Sequence, residues 1–421
     1  MDIKAIYDIF CGYPLVTTDS RNCPEHSIFF ALKGENFNGN KFAQSALEKG
    51  CAYAFVDESE YADGERILLV DNCLQTLQKL AEYHREQLGI KIIGITGSNG
   101  KTTTKELIAA VLSKKYNLTY TKGNLNNQIG VPLTLLSMKK EHELAIVEMG
   151  ASHPGDIKEL VDIAHPNFGL ITNVGTAHIL GFGSFEGVLN TKCELYDYLK
   201  THAGKVFYHT ANPHLSRRSE GMDRIAYGEG SSTSATMIAS DPFLQINWNG
   251  REVATHLIGS YNFENVLASI SVGTYFGVPA DDIVAALSEY TPTNSRSQFM
   301  KSEKNDLIVD AYNANPTSMT AALNNFKSMK RDRKVVILGD MKELGHVSEV
   351  EHQKIADLVA GMDLAAAFLV GPNFAQTNSS AMKFDSAADL IAYLKESPIT
   401  DALVLVKGSN SMKLTTCIDS L

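Results

Sequence analysis

Lys91-Ile92-Ile93-Gly94-Ile95-Thr96-Gly97-Ser98-Asn99-Gly100-Lys101-Thr102-Thr103-Thr104 is the stretch that decides how the rest of the chain is read. Its apolar opening has the pattern of a strand buried on both faces. The strand runs directly into a glycine turn and then into a helical pattern over Lys101–Lys114. Strand, glycine loop and helix is the setting in which backbone N–H groups cradle phosphates. Gly97, Ser98, Asn99 and Gly100 let the backbone turn inward, and Thr103 continues the turn. Lys101 neutralises terminal phosphate charge, and the Thr102 hydroxyl is suited to Mg²⁺. Only two residues separate Gly97 from Gly100-Lys101, fewer than in the common phosphate loop. An ordinary βα turn with a helix-capping lysine is the alternative.

Outward from this loop, short apolar runs alternate with amphipathic stretches, the mark of an α/β fold. Three domains are expected, at 1–88, 89–293 and 294–421. The boundaries are drawn at Leu88-Gly89 and in the turn-rich Thr291-Pro292-Thr293-Asn294-Ser295. The first block has predicted strands at Ile28–Leu32, Ala52–Val56 and Ile67–Val70 and helices at Lys41–Lys49 and Leu74–Leu88. The second has strands at Lys91–Thr96, Leu144–Glu148 and Gly169–Val174, and a hairpin turning on Asn249-Gly250, residues that tolerate positive φ. A helix over Asn262–Phe276 follows. The third has strands at Leu307–Tyr312, Val335–Gly339, Ala367–Val370 and Leu403–Val406.

The bulk numbers narrow the function. At 421 residues the chain is too long for one core. Its composition, 44% hydrophobic and 20% charged, is that of a soluble globular protein. A net charge of −10 disfavours nucleic acid and anionic membranes as partners. No apolar window is long enough to span a bilayer, and the N-terminus is a poor signal peptide. Cys11, Cys23, Cys51, Cys73, Cys193 and Cys417 are scattered without a paired spacing, so a reducing cytoplasmic setting is expected.

In a parallel sheet, ligands gather beyond the carboxyl ends of the strands. Glu148 ends one predicted strand and either holds Mg²⁺ or caps the next helix. His178 follows another, as a second ligand or as a satisfied loop residue. Asn262 and Asn265, at i and i+3, share a helix face, and Asn262 is also a candidate N-cap.

The segment Gly94–Glu106 resembles the ATP loop of the Mur ligases, and the short glycine spacing is that family's own. Asn124-Leu125-Asn126-Asn127-Gln128, Glu148-Met149-Gly150, Thr172–His178, Gly259–Asn265 and Lys407-Gly408-Ser409 resemble further family segments, so the likeness spans nearly the whole chain. Asp310-Ala311-Tyr312-Asn313-Ala314-Asn315-Pro316, with Gly339–Gly345 and His352, is similar to the branch that adds D-alanyl-D-alanine. Two positions depart from the family pattern: Asn410 stands where a basic residue is frequent, and Tyr261 where many relatives have histidine.

The resemblance implies a small α/β N-terminal domain that binds a uridine nucleotide, a central phosphate-loop ATPase domain with a mostly parallel sheet, and a C-terminal Rossmann-like domain. It implies that D-alanyl-D-alanine and UDP-N-acetylmuramoyl-tripeptide are joined through an acyl phosphate formed from ATP, which leaves as ADP and phosphate, by a monomer with two Mg²⁺ ions. Lys101, Glu148, His178 and Lys192 would be catalytic, and Thr102, Glu148, His178 and Lys192 the metal-binding set, with Lys192 carbamylated. Asn262, Asn265, Arg296, Asp310 and Asn313 would contact the nucleotide, and Ser20, Arg21, Asn126 and Asn127 the substrate. Two alternatives stand beside this: the neighbouring ligase that adds the third residue, and a decayed ATP-binding module.

Overall fold

The computed structural model describes residues 1–175, 179–293 and 296–421. Lys91–Thr96 forms a strand inside a six-stranded sheet. Across that sheet the strands run Asp223–Tyr227, Lys205–His209, Phe168–Ile171, Lys91–Thr96, Leu144–Glu148 and Leu118–Tyr120, and every pairing is parallel. Residues 92–96 are all buried, as a strand covered on both faces requires. Alternation divides them between two cores. Ile93 and Ile95 pack with Leu107, Val111 and Leu267 on one side. Ile92 joins the opposite cluster with Leu160, Val161 and Leu195. Gly94 keeps that second face close, since a Cβ there would meet Leu195, Met149 and Pro166 at 3.3 Å.

The N-terminal sheet has four parallel strands in the order Leu15–Thr17, Ser27–Phe30, Tyr53–Val56, Ile67–Leu69. The helix Cys73–Leu88 is capped by Asn72, whose Oδ1 accepts from the Gln75 N–H at 2.9 Å, and ends on left-handed Gly89. It also seats this sheet on the central one. His84 meets the Met138 carbonyl at 3.0 Å, and Arg85 donates to the Ala164 and His165 carbonyls at 3.2 and 3.0 Å. The hairpin forms as expected, with Asn249 and Gly250 at φ 52 and 79 between Phe243–Trp248 and Arg251–Ile258.

The C-terminal sheet runs Gln298–Lys301, Asp306–Asp310, Leu403–Lys407, Lys334–Gly339, Ala366–Val370, Met382–Phe384. Its first strand is an antiparallel edge and the rest are parallel.

Several expected elements end early or begin late. The strand expected to Val174 stops at Ile171 because residues 172–175 leave the sheet to hold the glycine loop. The strand expected to Tyr312 stops at Asp310, where its carboxylate turns to Lys407. Residues 39–42 form a 3₁₀ turn before the short helix Ala43–Glu48. The helix Ile3–Gly12 is additional to the expected elements; it buries Ile6 and Phe10.

Candidate active site

The central and C-terminal sheets turn the carboxyl ends of their strands toward one cleft of about 710 Å³. That volume lies in the range that takes a nucleotide-sized ligand. Ser98 to Thr103, Asn126, Asn127 and Glu148 line one wall, and Arg296, Asp310, Tyr312 and Asn313 the other.

The glycine loop is held from its side. Gly97 sits at φ 144, and a Cβ on it would lie 2.0 Å from Thr172 Oγ1, so only glycine fits. Ser98 Oγ accepts the Gly175 N–H at 2.9 Å, and the Asn99 carbonyl accepts from Thr172 Oγ1 at 2.6 Å and Asn173 Nδ2 at 3.0 Å. Gly100, at φ 78, leaves room for Asn265, whose Oδ1 would stand 2.5 Å from a Cβ there. Lys101 folds back on its own loop, donating to the Gly97 and Ser98 carbonyls at 2.7 and 3.2 Å. Burial pulls its ammonium down to about 8; Glu148 opposes that shift and Arg296 adds to it.

Glu148 is buried to 1% exposure. Its Oε1 accepts from Thr102 Oγ1 at 3.0 Å and from Asn126 Nδ2 at 2.8 Å. Its Oε2 has no hydrogen-bond partner among the described residues, and the Lys105 ammonium stands 3.8 Å away. A buried carboxylate oxygen left unsatisfied is costly. The orphaned oxygen beside a threonine hydroxyl is an oxygen donor set that fits a hard divalent cation.

Lys192, at 2% exposure, stands behind the wall formed by Ala151, donating to its carbonyl at 3.3 Å, and does not itself line the cleft. Burial first, then the charge of Lys101, hold its amine well below the usual lysine range. His178 lies outside the described residues.

On the other wall, Lys407 Nζ donates to Asp310 Oδ2 at 2.5 Å and to the Asn313 carbonyl at 3.3 Å, while Asp310 Oδ1 accepts the Ser297 N–H at 3.2 Å. The Arg296 guanidinium lies over the Tyr312 ring at 3.9 Å. The two walls meet where Asn315 Nδ2 donates to Asn99 Oδ1 at 2.8 Å and where Tyr261 Oη meets Ser297 Oγ at 2.7 Å.

The structure gives several of the expected residues contacts of their own, and not all of them line the cleft. Asn262 begins a helix, yet its side chain does not cap it. The Asn262 Nδ2 donates to the Ile258 carbonyl and its Oδ1 accepts from Asn265, both at 2.8 Å. Asn265 Oδ1 in turn accepts from Thr104 Oγ1 at 3.0 Å. Asn126 orients Glu148, and Asn127 Oδ1 accepts the Gly130 N–H at 2.9 Å at the start of a helix. Ser20 and Arg21 do not line the cleft. Ser20 is buried, and Arg21 is exposed and pairs with Asp19 at 2.8 Å. Exposed Asn410 does not reach the cleft either. In the Gly339–Gly345 segment, fully buried Asp340 accepts the N–H groups of Asn373 and Phe374 at 3.0 Å.

Two residues stand in the family-like segments but were given no role from the sequence. Lys407 is a strand-end lysine whose register partner is Asp310, a pairing visible only once the two strands are adjacent. Lys105 is fully buried in the helix after the loop, where its ammonium meets the Thr121 carbonyl at 2.5 Å and Glu106 at 3.1 Å. Its advance signs were its place in the family-like loop segment and its spacing of four residues from Lys101.

Three family models match the chain. The Mur ligase family catalytic domain matches residues 13–85, the Mur ligase middle domain 95–273, and the Mur ligase glutamate ligase domain 295–410. The UDP-N-acetylmuramoyl-tripeptide–D-alanyl-D-alanine ligase of Bacillus subtilis is 35% identical, over 96% of this chain and 92% of its own length. The crystal structure of MurF from Acinetobacter baumannii superposes with a TM-score of 0.87 at 30% identity, covering 100% of this chain and 98% of that one. MurF from Thermotoga maritima in complex with ADP gives a TM-score of 0.85 at 25% identity, covering 98% and 97% of the two chains. With these likenesses running nearly end to end, and with the glycine loop, the orphaned carboxylate and the facing C-terminal wall in one cleft, the chain belongs to the Mur ligase family.

Proposed function

We propose that the chain is an ATP-dependent amide ligase that joins D-alanyl-D-alanine to UDP-N-acetylmuramoyl-tripeptide, giving the pentapeptide precursor of peptidoglycan, ADP and phosphate. The observation that carries the reaction type is the pairing of Lys101 with the Thr102–Glu148–Asn126 cluster beneath a closing second wall. The near full-length likeness to ligases of that name carries the substrate assignment. Adding the third residue is not favoured.

A carboxylate resists attack by an amine at neutral pH. In the proposed reaction a carboxylate oxygen of the tripeptide attacks the γ-phosphorus of ATP, and the bond to the ADP oxygen breaks. The dipeptide's amine then attacks the acyl carbon, loses a proton and expels phosphate. The protein's part is to position these groups and to neutralise charge on the moving phosphoryl group. Lys101 releases its own loop carbonyls to meet the phosphates. Arg296 adds positive charge from the opposite wall, and Asp310 and Asn313 face the nucleoside. Asn262 supports Asn265 against the loop. Closure of the C-terminal wall excludes water, which would otherwise hydrolyse the acyl phosphate.

Thr102 and Glu148 would hold Mg²⁺, whose charge would neutralise the phosphate oxygens. His178 and Lys192 are the candidates for a second ion. The neutral amine is the form that takes up carbon dioxide, and burial with the charge of Lys101 shifts Lys192 toward it, which supports a carbamate there. Among the described residues, no helix is long and apolar enough to cross a membrane. The division of labour follows 1–88 for the uridine nucleotide through Ser20 and Arg21, 89–293 for ATP, and 294–421 for closure, in a cytoplasmic monomer.

An acceptor screen tests this reading. Phosphate release should require UDP-muramoyl-tripeptide and D-alanyl-D-alanine together. Release with UDP-muramoyl-dipeptide and a free diamino acid, and none with D-alanyl-D-alanine, would move the chain to the neighbouring ligase.

A further inference from the structure

Asn315 begins the helix Pro316–Ser328, and its side-chain amide is used at both ends. Its Oδ1 accepts the Ser318 N–H at 2.9 Å, while its own N–H donates to Ser318 Oγ at 3.1 Å, a reciprocal capping box. With the carbonyl end committed to the cap, the amino end faces away from the helix. There Nδ2 donates to Asn99 Oδ1 at 2.8 Å, across 216 residues of sequence and from one wall of the cleft to the other.

Asn99 lies in the glycine loop, and its backbone is already engaged. Its N–H donates to Asn173 Oδ1 at 3.0 Å, and its carbonyl accepts from Thr172 and Asn173 at 2.6 and 3.0 Å. The direction of its side chain therefore follows the shape of the loop. Serine and aspartate cap a helix about as well as asparagine, but they lack an amide donor. Capping alone does not account for asparagine at 315; capping together with a donor aimed at Asn99 does. The helix start also lies against the segment that holds the loop, since a Cβ on Gly175 would stand 3.4 Å from Thr317 Oγ1.

We infer that Asn315 is a positioning residue. Through Asn99 it couples the conformation of the phosphate loop to closure of the C-terminal wall. Arg296, Asp310 and Lys407 are then brought onto the nucleotide when the loop has its phosphate-holding shape. This rests on the ligase reading for its kinetic consequence, but not for its structural one.

A double-mutant cycle in the full chain tests the coupling, using Asn315→Ser, Asn99→Ala and the pair. Asn315→Ser keeps the cap acceptor and loses the donor. The expected kcat is about tenfold lower, one hydrogen bond's worth, with the thermal midpoint unchanged. The double variant should be about as slow as Asn99→Ala alone. Compaction on adding ADP and Mg²⁺, followed by small-angle scattering, should occur in the native chain and be lost in both single variants. Losses that multiply in the double variant, an unchanged kcat and compaction in Asn315→Ser, or a kcat loss matched by a fall in thermal midpoint would overturn the inference. If the native chain turns over neither substrate set, the ligase reading fails, and the scattering result alone decides the coupling.

Discussion

At the scale of single residues, the site is built from groups whose partners are incomplete. Lys101 holds loop carbonyls that phosphates would replace, and Glu148 keeps one buried oxygen without a hydrogen bond among the described residues. Both were legible in advance because each ends a strand or opens a helix beside a glycine loop. Lys105 was not legible, because burial of an ammonium inside a helix leaves no trace in spacing. Asn126 is read as a substrate contact; it lines the cleft, and its amide also orients Glu148, 22 residues away in sequence. Lys192 makes the sharpest residue-scale prediction. Buried beside Lys101, its amine is held toward the neutral form that combines with carbon dioxide. Carbon-13 NMR of the native chain under labelled CO₂ should show a carbamate signal that is absent from Lys192→Arg. No such signal at CO₂ levels that support turnover would count against the carbamate.

At the scale of elements, Lys91–Thr96, Leu144–Glu148 and even the three-residue Ile67–Leu69 were readable, whereas Leu118–Tyr120, Lys205–His209 and Asp223–Tyr227 were not. Lys91–Thr96 and Leu144–Glu148 lie where the apolar runs place them, because both are covered on two faces. Leu118–Tyr120 is three residues long and half-buried at the sheet edge, so its composition does not distinguish it from loop. The Gly339–Gly345 segment and His352, which carry part of the likeness to the D-alanyl-D-alanine-adding branch, form a hydrogen-bonded corner. His352 Nδ1 faces the Ser348 carbonyl at 2.7 Å and therefore carries the proton, while Nε2 accepts the Met341 N–H at 3.0 Å. A proton on Nε2 would oppose that N–H, and burial lowers the imidazole pKa below its ordinary 6.5. A lowered folded-state pKa means that the imidazole's contribution is fully present above about 6.5 and is lost as pH falls through the folded value. His352→Gln should cost about 1–2 kcal/mol at pH 7.5, two hydrogen bonds' worth. The fall in thermal midpoint between pH 7 and 5 should be shallower in that variant than in the native chain. Equal slopes would show that another group governs acid sensitivity there.

At the scale of the whole molecule, three sheets form one working arrangement. The alternation of apolar and amphipathic stretches announced α/β architecture, and the glycine loop located the nucleotide site. The facing of the two larger sheets across a single cleft was anticipated only through the family resemblance, which put Arg296, Asp310 and Asn313 on the nucleotide; the Asn99–Asn315 and Tyr261–Ser297 contacts join residues too far apart in the chain to be read from it. Lys407 belongs to the same class: its pairing with Asp310 exists only when two parallel strands lie side by side. In the proposed reaction, closure of that cleft would give a carboxylate, a phosphoryl donor and an amine a common, water-poor space. The most direct measurement of this account is isotope transfer from UDP-muramoyl-tripeptide carrying oxygen-18 in its reacting carboxylate, with ATP and D-alanyl-D-alanine present. The account predicts that each phosphate released carries one labelled oxygen, the pentapeptide amide retaining the other. Unlabelled phosphate would contradict it, because the γ-phosphoryl group would then have gone to water and not to the substrate.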